Sequence, residues 1–142
     1  MSVNDYESIR NLLARFVHLR DDKHFEEWAE LFSVDGIFEY GGKVLIGRQA
    51  IASDVAELLR WDRGKHLWAN PVIELDGDCA KVLSDFVKLQ RAGGSDTAPE
   101  LVLQVMGRYE DELVRVEGRW FIARRRVHLA SDGGRGAPDP GV

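Results

Sequence analysis

Asp21 and His66 are the side chains of this sequence best suited to acid–base chemistry. Asp21 closes the amphipathic stretch Phe16-Val17-His18-Leu19-Arg20-Asp21, and His66 opens the extended stretch Lys65-His66-Leu67-Trp68-Ala69-Asn70. A neutral imidazole accepts a proton near physiological pH. A carboxylate on its other nitrogen fixes the tautomer and stabilises the cation that forms. If the fold joins the two, His66 is a general base and Asp21 its partner. Each also has a plain structural explanation. A histidine at a strand start is more often a satisfied core or rim residue, and an aspartate at a helix end is often a cap. Asp22 could do the capping and leave Asp21 free. Asp21 could also be the base itself, because an acid in apolar surroundings has its pKa raised toward the working range.

Other polar residues are weaker candidates. Tyr40 could donate to a developing oxyanion, or be a half-buried strand aromatic. Trp68 and Asn70 share strand parity with His66, so all three would face one side. That would make Trp68 a pocket wall and Asn70 a polar contact. His128, at the end of the last strand, is a candidate for the pocket rim. His18 and His24 are expected on solvated surfaces, and Arg108 in a salt bridge. The four histidines show no ligand spacing, neither HExxH nor CxxC occurs, and no metal site is expected. The Gly41-Gly42 and Gly93-Gly94 pairs lack a phosphate-loop context, and no cofactor motif is present. Cys79, the single cysteine, is expected to be a buried, unreactive thiol.

The elements that must position these groups are legible from periodicity. Ile9, Leu12, Leu13, Phe16 and Val17 fall on one face of a first helix. Phe25, Trp28, Leu31 and Phe32 mark a second, ending near Ser33–Gly36. Residues 37–40 and 43–46 flank Gly41-Gly42 as a hairpin. Ile51, Val55, Leu58 and Leu59 line a third helix. Extended stretches then run over residues 66–75, 80–90, 100–116 and 120–129, with a loop at 92–99. Residues 131–142, rich in Gly and Pro, are expected to form a flexible tail after a single domain over 1–130. Helices ahead of a run of strands indicate an α+β fold, with helices on one face of a curved antiparallel sheet.

Bulk properties exclude several classes. With 142 residues, a net charge of -5 and a pI near 5.4, the chain's charge balance argues against a nucleic-acid partner, which would want a basic face. Arg124-Arg125-Arg126 is no exception, since alternate strand residues face opposite ways. No apolar run approaches membrane-spanning length, and the polar, acidic N-terminus is unlike a signal peptide. A cytoplasmic location is the expectation.

In this order, four stretches resemble the SnoaL-like branch of the nuclear transport factor 2-like superfamily. They are Asp21 through Trp28-Ala29-Glu30-Leu31-Phe32, Asp35-Gly36, Gly47-Arg48-Gln49-Ala50-Ile51, and Glu117-Gly118-Arg119-Trp120. The resemblance implies a cone whose bent sheet wraps the helices around an apolar pocket. It also implies that Asp21 and His66 sit where dehydratase and dehydrochlorinase members carry their Asp–His dyad, and Tyr40 where scytalone dehydratase has a pocket tyrosine. The chain departs from that pattern at Arg20, where scytalone dehydratase has a second tyrosine. The expected activity is that of a cofactor-independent lyase or isomerase acting on a small apolar cyclic molecule. The alternatives are a non-catalytic binding or assembly domain, or the small subunit of a ring-hydroxylating dioxygenase. The strand at residues 101–106 is largely apolar on both faces, and self-association as a homodimer or homotrimer is expected.

Overall fold

The apolar stripe Ile9, Leu12, Leu13, Phe16 and Val17 is the buried face of helix α1 (Val3–Asp21). The computed structural model describes residues 3–130 and 137–138. After a turn in which Lys23 takes a φ of 62°, helix α2 (Phe25–Ala29) follows. It is shorter than its apolar spacing suggests, because Phe32 already begins strand β1 (Phe32–Tyr40). The Ile122 N–H donates to the Leu31 carbonyl at 2.8 Å and Phe32 pairs with Ile122. These long-range ladder bonds outweigh a weak local helix preference. Gly41 and Gly42, with φ of 56° and 77°, make the tight turn into strand β2 (Lys43–Ile46). Helix α3 (Arg48–Leu58) leads to strands β3 (Lys65–Asp76), β4 (Cys79–Arg91), β5 (Leu101–Val116) and β6 (Arg119–Leu129).

The strands form one open mixed sheet in the order β2-β1-β6-β5-β4-β3. Only β1 and β6 run parallel; the other neighbours are antiparallel. A two-residue strand β7 (Ala137–Pro138) pairs with the end of β6. The rest of the stretch expected as a tail, 131–136 and 139–142, lies outside the described residues. The architecture is α+β, with three helices and a curved sheet enclosing an aromatic core. Phe16 lies 5.0 Å from Trp28 and 5.7 Å from Tyr109 between ring centroids, and Phe86 stacks on Tyr109 at 4.3 Å.

Cys79 is exposed rather than buried. It opens β4, where Ala80, Val82, Ser84 and Phe86 take the buried parity, so Cys79 falls on the opposite face. The three consecutive arginines do divide between faces. An extra residue, Ala123, interrupts the β5–β6 register between the Glu112–Arg124 and Leu113–Ile122 pairs. That bulge turns Arg125 inward. Its guanidinium donates to Asp111 at 2.6 and 2.7 Å, with both side chains fully buried. The Phe16 and Tyr109 rings sandwich it, with centroids 4.1 and 3.8 Å from Cζ. Arg124 and Arg126 instead share Glu39 on the outer face.

Gly107 marks a close approach within the sheet. A Cβ there would stand 2.8 Å from the Phe86 ring and closer still to the His128 carbonyl oxygen. We expect Gly107→Ala to destabilise the protein by about 1–3 kcal/mol, the usual cost of forcing an extra carbon into packed surroundings. A shift of the urea midpoint with an unchanged slope would register it.

Candidate active site

The end of α1 and the start of β3 meet because Asp21 accepts two hydrogen bonds from one residue. The His66 backbone N–H donates to Asp21 Oδ2 at 2.8 Å, and His66 Nδ1 lies 2.5 Å from Oδ1. Both side chains are almost wholly enclosed, at 2% and 9% exposure. Asp22 is exposed. The carboxylate can only accept, so Nδ1 carries the proton. On the other side of the ring, Arg20 Nη1 lies 3.0 Å from Nε2. A guanidinium can only donate, so Nε2 presents its lone pair. The two neighbours therefore define one neutral tautomer.

Burial is the largest influence on His66 and holds its pKa below the ordinary 6.5. The positive charges of Arg20 and Lys88 act in the same direction, and the bond to Asp21 opposes them. The folded imidazole stays neutral at pH values where an unfolded one takes up a proton. Stability linked to His66 is accordingly complete above about pH 6.5 and is lost as pH falls through the lower folded value. We expect an NMR titration of the His66 ring to give a midpoint below 6.5, and Arg20→Gln to raise it.

His66 and Arg20 both line a cavity of about 490 Å³. Phe38, Leu59, Phe86, Val127 and Leu129 give it apolar walls, and Arg20, Tyr40, Asp62 and Lys88 supply polar groups. Lys88 is buried and bonded to Asp62. Burial alone would raise the Asp62 pKa, but Lys88, the Gly64 N–H and the Arg20 charge keep it below its usual value. Trp61 is largely exposed at the mouth. A larger groove of about 680 Å³, around Cys79, Glu112 and Arg124, contains neither Asp21 nor His66. Its walls bring no base together with an orienting acid.

The remaining expected residues are placed differently. Tyr40 lines the cavity, but its hydroxyl donates to Asp54 Oδ2. Burial and that bond push the phenol well above its usual pKa, so its single proton is held by Asp54 and not offered to the cavity. Trp68 is half-buried against the core and is not among the cavity's lining residues. Asn70 does not share the side of His66. It takes a φ of 58° in a bulge between the Ala69–Asp85 and Val72–Leu83 pairs, and its amide donates to Asp85 on the surface. The bulge reverses strand parity, so the inward residues change from His66 to Ile73 and Leu75. His128 does not reach the cavity, which its neighbours Val127 and Leu129 line. Its Nε2 lies 3.0 Å from Glu110 on the other face.

Arg20, Lys88 and Asp62 are further site residues, and periodicity does not single out Arg20 or Asp62. One signal is visible for Lys88, which continues the inward series Val82, Ser84 and Phe86. Arg20 is marked by its position directly before Asp21. Among the described residues, no cluster of three or more His, Cys, Asp or Glu side chains could hold a metal ion. No helix among them is long and apolar enough to cross a membrane.

The pattern of the SnoaL-like domain matches residues 1–126, and the chain belongs to that family. It is 33% identical to an Asp-to-Asn variant of Rv3472, a protein of unknown function from Mycobacterium tuberculosis. That similarity covers 88% of this chain and 71% of the other, with a TM-score of 0.79. An NTF2-like protein with a cystatin-like fold from Novosphingobium aromaticivorans is 24% identical over 93% of this chain and 87% of its own, with a TM-score of 0.80. A candidate scytalone dehydratase from the same organism is 23% identical over 97% and 93%, with a TM-score of 0.78. These last two share the fold. No protein of curated function matches the sequence.

Proposed function

We propose that this protein is a cofactor-independent lyase or isomerase that removes a proton from a small apolar cyclic substrate. His66 Nε2 takes the proton from a carbon beside an activating group, and Asp21 stabilises the resulting imidazolium. The electrons of the broken C–H bond form a double bond. They then expel a leaving group such as hydroxide or halide, or a proton returns at another carbon. The observation that carries this reading is the 2.5 Å contact of His66 Nδ1 with a nearly enclosed carboxylate in a residue that also lines a largely apolar cavity. Tyr40 has a lesser part than a free phenol would have, since its proton goes to Asp54. The dehydratase-like neighbour fits this class of chemistry.

The test is deuterium exchange. The protein is incubated in heavy water with a panel of cyclic ketones and hydroxy-ketones, each with and without a ring carboxylate, and NMR follows loss of each carbon-bound proton. Exchange or elimination that depends on His66 and Asp21 is the expected outcome. A panel on which wild type and His66→Ala behave identically counts against an enzyme and favours a binding domain. That second reading draws on one observation: Arg20 donates to the nitrogen that a base must keep available. Co-purification with a large iron–sulfur subunit would instead identify a dioxygenase small subunit.

We also infer self-association. Leu101, Leu103 and Met106 are exposed on β5 ahead of Gly107, where pairing with β6 begins. A second copy covering this apolar end fits the exposure better than open solvent does. Light scattering at micromolar concentration should show an assembly larger than a monomer.

A further inference from the structure

We propose that Arg20 recognises a carboxylate on the substrate's apolar ring and that, in binding it, Arg20 releases the lone pair of His66. The argument begins with charge. Among the described residues, the only hydrogen-bond partner of the Arg20 side chain is the neutral His66 imidazole, and no carboxylate lies within ion-pair distance. Its Nε is buried without a partner. Arg124, Arg125 and Arg126 each hold a carboxylate.

The acids around Arg20 are already engaged. Both oxygens of Asp21 serve His66. Asp62 holds Lys88 and the Gly64 N–H. Asp54 holds Tyr40 and Lys43. A half-buried guanidinium facing an apolar cavity is therefore left with a neutral acceptor and an unused donor. A planar fork of this kind pairs best with a carboxylate, through two parallel bonds. Lys88 and Lys43, the other cations on the cavity wall, are matched by acids, so Arg20 is the one with charge to offer.

The position of Arg20 gives the contact a second consequence. With its N–H on Nε2, the base cannot accept a substrate proton. A carboxylate is a stronger acceptor than a neutral imidazole, so an anionic ligand draws the guanidinium away and frees the lone pair. A neutral ligand of the same shape leaves the base covered. The recognition step stands on the charge pattern alone. The release step rests on the proposed role of His66 as the base.

The experiment compares 1-naphthoate with its methyl ester. Calorimetry should show the acid binding the wild type at least about tenfold more tightly, as hydrogen bonds to charged groups usually allow. Arg20→Gln should abolish this preference, Arg20→Lys should retain part of it, and Lys43→Met should keep it. His66→Gln should also keep it, which separates failure of recognition from failure of the catalytic reading. In ¹⁵N-labelled wild type, naphthoate should move the His66 Nε2 resonance toward that of a nitrogen without a hydrogen bond, and the ester should not. Equal affinity for acid and ester overturns recognition, as does a preference that survives Arg20→Gln. An Nε2 resonance unmoved by bound naphthoate overturns release. Should Arg20→Gln fail to fold, Arg20→Lys and the wild-type comparison still decide.

Discussion

His66→Ala should lower turnover of a responsive carbon acid by about 10²–10⁴-fold, the range that a positioned proton acceptor contributes. Water could enter the space left by the ring, but it is a far weaker base and nothing would orient it. Asp21→Asn should lose a comparable amount for a different reason. An amide can donate to Nδ1, which favours the tautomer with the proton on Nε2, where acceptance is impossible. The double variant should be no worse than about the poorer single one, because the two residues act as a unit. Initial rates, with circular dichroism to confirm folding, would measure this. Unchanged rates in both single variants would remove the dyad from the reaction.

Arg125→Met should be among the most damaging changes to stability. It leaves the fully buried Asp111 carboxylate without its partner and strips a cation from between two rings. Breaking a buried pair from one side costs about 3–5 kcal/mol, mostly through the charge left behind. Adding Asp111→Leu should recover much of the loss, since a well-packed apolar replacement of such a pair is often neutral. Urea denaturation of the single and double variants would test both statements. A mild single variant would mean that Asp111 finds another partner or takes up a proton at little cost.

The helices and strands were legible because burial imposes a period. One face of α1 is apolar at helical spacing, and β4 alternates from Ala80 to Lys88. Turn chemistry was legible too, at Gly41-Gly42 and Asp76-Gly77-Asp78. Where the alternation slips by one residue, parity arguments fail. The bulge at Asn70 sends that side chain to the surface, and the bulge at Ala123 sends Arg125 into the core. Neither slip is written in hydropathy, because register is settled by the partner strand. The short second helix has the same origin, since a ladder with β6 claims Phe32.

The candidate site divides along the same line. Residue chemistry together with family resemblance singled out Asp21 and His66 while they were distant in the chain. Nothing in the order of residues could say that Asp54 holds the Tyr40 proton, that Lys88 and Asp62 neutralise each other, or that Arg20 covers Nε2. By itself the sequence determined which groups can titrate, which faces must be buried and where the chain turns, because these follow from side-chain chemistry and local geometry. The tertiary structure alone decided which donor meets which acceptor, because hydrogen bonds and charge pairing depend on separations of a few ångströms between segments far apart in the chain.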